Sequence, residues 1–312
     1  MTGPLMALPL ALLGALAPPP PVPVILDTDI GGDIDDTWAL GMLLGSPQVD
    51  LKLIVTAFDD TEAKTRLVAK ILQTVGRTDI PIGTGVKTSD VALSQAKWVG
   101  DYDLAAYPGT VHEDGVQALV DTLRSAPAPM TLMVIGPQRN LGEALRRDPG
   151  IAAKARLVSM AGSVHVGYGG KPEPDPEYNV VADVPAARAV LAAPWQSITW
   201  TPLDTCGTVI LSGERYACVR DSQNVRAQAV IANYDNWAPR ASFPADTSSV
   251  LFDTVAAYLT FDEACCRMET VNLSISDDGR TVPDEQGRPV RCALGWTDRD
   301  AFEELLVGAL TR

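Results

Sequence analysis

The sequence predicts a single α/β domain with a mainly parallel central sheet and helices on both faces. Three observations predict it. Through residues 22–200, short apolar runs alternate with segments of helical period, the signature of strands joined by helical crossovers. Apolar residues make up 46% of the chain and charged residues 21%, enough to build a large core. After about Tyr216 the pattern turns largely helical. Right-handed crossovers would set the strand-end loops of such a sheet along one edge.

Taken in order, residues 22–26 (Val22-Pro-Val24-Ile25-Leu26) form the first strand and 36–44 a helix. Residues 49–55 are a strand. Residues 61–75 are a helix, with Ala63, Leu67, Val68, Ile71, Leu72 and Val75 at apolar positions. A short extended piece at 80–82 precedes a helix at 115–124, a strand at 130–135, a helix at 141–146 and a strand at 155–160. A helix at 184–192 and a strand at 196–200 complete the alternating part. Helices follow at 225–237 and 248–259. Residues 271–275 and 288–292 read as a late hairpin near the sheet edge. Residues 298–310 read as a closing helix capped by Asp298 or Thr297. No linker or repeat follows Pro21, so residues 22–312 are expected to be one domain.

Residues 5–17 are apolar and too short for a comfortable membrane span. They end in Ala15-Leu16-Ala17 before Pro18 to Pro21, similar to the apolar core and cleavage site of an export signal, although Met1-Thr2-Gly3-Pro4 lacks a basic residue. Export is the expectation for residues 1–21; the alternative is a disordered apolar and proline-rich extension on a cytoplasmic protein. The net charge of −14 repels phosphate backbones and anionic lipid, so neither nucleic acid nor membrane is an expected partner. The five cysteines include no Cys-x-x-Cys pair, which argues against zinc. Export would allow a disulfide such as Cys206–Cys218, and Cys265-Cys266 is expected to contain at least one buried or free thiol.

One loop carries the chemistry. Asp27-Thr-Asp29-Ile-Gly31-Gly32-Asp33-Ile-Asp35-Asp36 places five carboxylates within ten residues, between the first strand and the first helix. Like charges that close repel unless a cation sits among them, and hard divalent ions take oxygen ligands of this type. The end of a buried strand is also where open α/β sheets place their sites. An ordinary solvated acidic turn is the competing reading.

These residues resemble the N-terminal signature of the inosine–uridine type of nucleoside hydrolases, calcium-dependent N-ribohydrolases whose usual pattern is Asp-x-Asp-Pro-Gly-x-Asp-Asp-Ala. The turn between the second and third aspartates is two residues longer here. The resemblance continues through Gly136-Pro-Gln-Arg-Asn140-Leu141, Met160-Ala-Gly-Ser163, Glu177-Tyr-Asn179-Val-Val-Ala-Asp183 and Phe252-Asp253-Thr-Val-Ala256, in the family's order. It implies hydrolysis of the N-glycosidic bond of a ribonucleoside or related N-riboside, with Ca²⁺ as cofactor and a homodimer or homotetramer as the assembly. It implies that Asp29, Asp36 and Asp253 ligate the ion with the backbone carbonyl of Ile135, and that Asp35 is the base that activates a calcium-bound water. It further implies that Glu177 and Asn179 bind ribose hydroxyls, that Asp27 orients the loop or bonds to ribose, and that Asp60 stands near the ion and sugar. The chemistry is coherent, since carboxylates stabilise the positive charge that develops on the sugar ring, and neighbouring aspartates can divide ion binding from proton transfer.

Phe252 departs from the pattern. Many members have a histidine there that protonates the leaving base, and Phe cannot. Of the two histidines, His112 reads as a surface residue in a helix lead-in, and His165 lies nearer a strand-end loop. Aromatic stacking by Phe252, Trp98, Tyr168 or Tyr178 could take over leaving-group activation, or the substrate is not an ordinary nucleoside. A non-catalytic calcium- and ribose-binding protein on the same fold is the alternative function. A haloacid-dehalogenase-type phosphatase also has an Asp-x-Asp strand end, but expects Thr or Val where this chain has Gly31.

Overall fold

The computed structural model describes residues 19–312. The export-signal reading falls on residues 1–21, nearly all of them outside the described part. Ten strands form one sheet: β1 (Val22–Thr28), β2 (Val49–Thr56), β3 (Ile82–Thr84), β4 (Val111–His112), β5 (Met130–Val134), β6 (Ala155–Met160), β7 (Ser197–Thr201), β8 (Cys266–Ile275), β9 (Thr281–Pro283) and β10 (Arg288–Trp296). Their order is β4-β3-β2-β1-β5-β6-β7-β10-β8-β9. Neighbours pair in parallel from β4 through to β10, while β8 is antiparallel to β10 and β9 to β8.

The central parallel strands are apolar on both faces because both faces are covered. Val24 and Leu26 of β1 enter one core, with Met133, Val158 and Met160; Ile25 enters the other, with Leu132, Val134 and Leu157. That alternation is the pleat of a parallel sheet between two helical layers. The chain winds outward from β1 through β2, β3 and β4 on one side, and through β5, β6 and β7 on the other. The order therefore reverses between β1 and β5. Loops leaving these two strands diverge and open a crevice at their carboxyl ends, where ligands bind in such sheets.

The expected elements are present, with shifted ends. Residues 248–251 are not helical; Ser248 N donates to Leu211 O and Leu251 N to Val209 O, so the helix starts at Phe252 and ends at Leu259. The late hairpin is longer than its apolar cores suggested, and its second arm, β10, pairs with β7 instead of lying at the edge. His112 sits in β4, not in a helix lead-in. Short helices at Tyr178–Val181 and Leu203–Cys206 are too brief to show a period. The closing helix Arg299–Thr311 is capped by Asp298, whose Oδ1 accepts from Ala301 N at 2.9 Å. All five cysteines are free thiols, Cys206 buried and Cys218 exposed, which corrects the suggested Cys206–Cys218 bridge. Among the described residues no helix is long and apolar enough to cross a membrane.

Candidate active site

Two helix N-termini meet in the crevice. The helix Asp35–Gly45 starts where the acidic loop ends, and carries Asp35 and Asp36 in its first turn. It packs on the helix Phe252–Leu259, which carries Asp253 in its first turn. Carboxyl oxygens of Asp35, Asp36 and Asp253 all lie within 4.8 Å of one another, and all three side chains are buried. Asp253 N donates to Asp35 Oδ2 at 3.2 Å, and Thr28 Oγ1 donates to Asp36 Oδ1. The positive ends of both helices favour anions here. They do not offset the burial: desolvation, and then repulsion from neighbouring carboxylates including Asp29 and Asp33, hold all three carboxyls well above the ordinary aspartate range.

The cavity over this trio has a volume of about 300 Å³. Seven carboxylates line it, from Asp29, Asp33, Asp35, Asp36, Asp59, Glu177 and Asp253, and no Lys, Arg or His does. Asp29 is partly buried, and desolvation raises its pKa to about 6. Its carboxyl takes the space a side chain would fill at Gly136, where a Cβ would fall 2.7 Å from Asp29 Oδ1. The longer turn is ordered by donors from distant segments: Ser94 N to Gly31 O, Gln95 Nε2 to Asp33 O and Trp237 Nε1 to Gly32 O, all within 3.1 Å. Gly31 has φ +107°, a conformation that favours glycine.

Beneath the cavity, Asp27 is fully buried and is not among the lining residues. Asn140 Nδ2 donates to Asp27 Oδ2 at 2.8 Å and to Thr56 O at 3.1 Å, and Asn140 Oδ1 accepts from Val86 N at 2.8 Å. Asp27 Oδ1 has no partner among the described residues, and desolvation lifts the group to about 7. Lys64, 1% exposed, donates from Nζ to Asp29 O at 2.8 Å and to Ala57 O at 3.1 Å. It joins the loops after β1 and β2 and places a cation behind the carboxylates.

Across the cavity, Glu177 Oε2 accepts from Gly162 N at 2.9 Å and Oε1 from Asn179 N at 2.8 Å. Burial raises Glu177 to about 7. Asn179 Nδ2 donates to Ile135 O at 3.2 Å and Met160 O at 3.1 Å, which leaves Oδ1 as its free atom. Aromatic rings frame the opening: Tyr168 and Phe252 in an edge-on pair at 6.2 Å, and Tyr178 against Phe58 at 6.3 Å. Tyr168, Tyr178 and Phe252 line the cavity.

The predicted residues Asp29, Asp35, Asp36, Ile135, Asp253, Glu177, Asn179 and Phe252 thus converge on one cavity. Asp60 does not. It caps the helix Thr61–Thr74, accepting from Ala63 N at 3.0 Å, and lies 3.5 Å from Lys87 Nζ. Its neighbour Asp59 takes the cavity position, because Phe58 and Asp59 both adopt left-handed backbone, φ 60° and 51°. Such strain costs roughly 1–2 kcal/mol per residue and gathers at functional sites. Asp33, without a role in the sequence reading, also lines the cavity. Trp98 lies elsewhere, under Lys70 Nζ at 4.7 Å, and neither histidine reaches the cavity. Lys64 and Asp59 are the residues sequence reasoning missed. Lys64 had a legible signal, since it falls three and four positions before Leu67 and Val68 on the buried face of its helix. Asp59 had none, because a left-handed turn of two non-glycine residues leaves no sequence trace.

The inosine–uridine preferring nucleoside hydrolase family model matches residues 24–304. A probable uridine nucleosidase 2 of Arabidopsis thaliana is 26% identical over 271 residues, covering 80% of this chain and 83% of that protein. The non-specific ribonucleoside hydrolase RihC of Salmonella typhi is 34% identical over 200 residues, a match that spans 61% of this chain and 63% of RihC. The solved structure of a plant nucleoside hydrolase, PpNRh1, superposes with a TM-score of 0.80 at 23% identity over 94% of this chain and 99% of that one, a likeness of fold.

Lys64→Met should destabilise the protein by about 2–3 kcal/mol, since it leaves two buried carbonyls without their charged donor; the urea midpoint reads this out, and an unchanged midpoint contradicts the role given to Lys64. A second expectation concerns pH. Folded-state values of about 7 for Asp27 and Glu177 and about 6 for Asp29 exceed the ordinary value near 4. The unfolded chain therefore releases these protons first, and the stability they contribute falls as pH rises from about 4 to 7. Chelator-treated protein should show a melting temperature that drops from pH 5 to pH 7.5, and millimolar Ca²⁺ should restore more at pH 7.5 than at pH 5. A rise across that window without added ion would contradict the charge balance described.

Proposed function

The chain belongs to the inosine–uridine preferring nucleoside hydrolase family, enzymes that hydrolyse N-glycosidic bonds of ribonucleosides, and we propose that it does so with Ca²⁺ held by Asp29, Asp36 and Asp253 and the carbonyl of Ile135. The observation that supports this most is the trio of buried carboxylates within 4.8 Å, facing Glu177 and Asn179 across one cavity. The residues present fit such an ion. Their donors are all oxygens, the carboxylates are crowded and desolvated, and no basic side chain lines the cavity. Three carboxylates plus a carbonyl would form an all-oxygen protein site, which suits the larger, flexible coordination of Ca²⁺ better than the strict octahedron of Mg²⁺.

When bound, the cation supplies Lewis acidity toward water and the ribose diol and offsets the crowded negative charge. Asp35 takes the proton of the attacking water; Asp253 N, 3.2 Å from its Oδ2, orients it. Asn179 presents Oδ1 to a ribose hydroxyl, because both its Nδ2 hydrogens are engaged by main-chain carbonyls. Glu177, fixed by two main-chain N–H donors, accepts from another hydroxyl. Together these carboxylates stabilise the cationic ring at the moment of bond cleavage. The base lies among Tyr168, Tyr178 and Phe252, which offer it π surfaces.

Asp35→Asn should lower kcat by roughly 10²–10⁴, the usual worth of a general base, with Ca²⁺ affinity by calorimetry within about tenfold of the parent; full turnover in this variant would reassign the base. Ribose release from a riboside panel, followed by reducing-sugar assay, should stop on chelation and return with Ca²⁺. Restoration by Mg²⁺ alone would argue against the ion assignment.

A further inference from the structure

The cavity holds more carboxyl groups than its ion needs, and no histidine to protonate the leaving group. Asp29, Asp35, Asp36 and Asp253 serve the ion and the water, and Glu177 serves the sugar. Asp33 and Asp59 remain, on the loops after β1 and β2. Their hydrogen-bond partners are neutral: Ile34 N donates to Asp33 Oδ1 at 2.7 Å, and Ser89 Oγ donates to Asp59 Oδ1 at 2.8 Å. Asp59 owes its place to a left-handed backbone, and the same strained turn sets Phe58 edge-on to Tyr178. Surplus carboxylates beside exposed π faces are a combination that attracts an organic cation.

The leaving-group chemistry points the same way. When a neutral nucleoside is cleaved, the bonding pair moves onto the base nitrogen, and the resulting anion needs a proton. Phe252 has none to give, and no imidazole lines the cavity. Tyr168 Oη accepts from Tyr178 N at 3.0 Å and keeps its own proton, but burial raises both phenols, Tyr178 to about 12, so both are weak acids. A base that is cationic before cleavage leaves as a neutral molecule and needs no acid.

We propose, resting on the hydrolase reading above, that the substrate is an N-ribosylpyridinium, selected by Asp33, Asp59 and the aromatic rings at the cavity mouth. The step balances without a leaving-group acid. The C1′–N bond breaks and its electron pair stays on nitrogen, giving a neutral pyridine. The water oxygen bonds to C1′, and its proton passes to Asp35 and then to solvent. The products are ribose, the pyridine and one proton.

The test uses the full chain with Ca²⁺ and measures kcat/KM for five compounds: 3-carbamoylpyridinium riboside, 3-carboxypyridinium riboside, uridine, inosine and 4-nitrophenyl β-D-ribofuranoside. The carbamoyl compound should exceed uridine and inosine by at least about 100-fold, in line with the usual scale of acid catalysis that a neutral base would require. It should exceed the carboxyl compound by at least about tenfold, since that ring leaves comparably but brings an anion toward Asp33 and Asp59. Asp33→Asn and Asp59→Asn should each shrink the carbamoyl-to-carboxyl ratio about fivefold, mainly through KM. A ratio near one, a ratio that neither variant moves, or equal use of uridine or inosine overturns the proposal. Release of nitrophenol without preference for the pyridinium removes this inference alone. Failure to cleave any of the five removes the hydrolase reading and the inference with it.

Discussion

Crowded, buried negative charge is the constraint on which the rest of this structure depends. Three carboxylates cannot share so small a buried space without compensation. The fold supplies part of it: two helix N-termini, the Thr28 hydroxyl, the Asp253 amide and the Lys64 ammonium behind the loop. What is left uncompensated is what an ion of hard character takes up. The sheet topology serves the same end, since only at the reversal between β1 and β5 can the acidic loop stand free of a neighbouring crossover.

Much of this was legible in the sequence, and for identifiable reasons. The alternating apolar runs reflect strands buried on both faces, so the main strands were legible, while the two- and three-residue strands β4 and β9 were too short to show a pattern. The acidic loop was legible because unbalanced charge near a buried strand has few explanations. Asp253, 217 residues after Asp36, was found through a motif and not through pattern, because nothing in local spacing ties the two helices together. Asp60 was mistaken for its neighbour Asp59 because backbone handedness decided which of the pair turned inward. The short helix beginning at Tyr178 and the reach of β8 and β10 depend on tertiary contacts that no local window records.

The site divides into two halves of different character. The half proposed to meet ion and sugar is built on strand ends and helix first turns, where Asp35, Glu177 and Asn179 are held by main-chain groups and Asp36 by the Thr28 hydroxyl. The half that meets the base is built on a strained turn and edge-on aromatic pairs. On the proposed reading, chemistry common to all ribosides belongs to the first half, and discrimination among bases to the second.

Asn140 explains how such a division can persist. One amide spans the ends of β1 and β2 and the segment after β3, through Asp27, Thr56 and Val86. It works as a keystone: the strand ends are locked from below, so the loops above can lengthen without unsettling their roots. The two extra residues between Asp29 and Asp35 are a lengthening of this kind. A lineage that inherits such a keystone can remodel the mouth of its site while the reaction beneath stays the same, which makes selectivity the evolvable property and hydrolysis the inherited one.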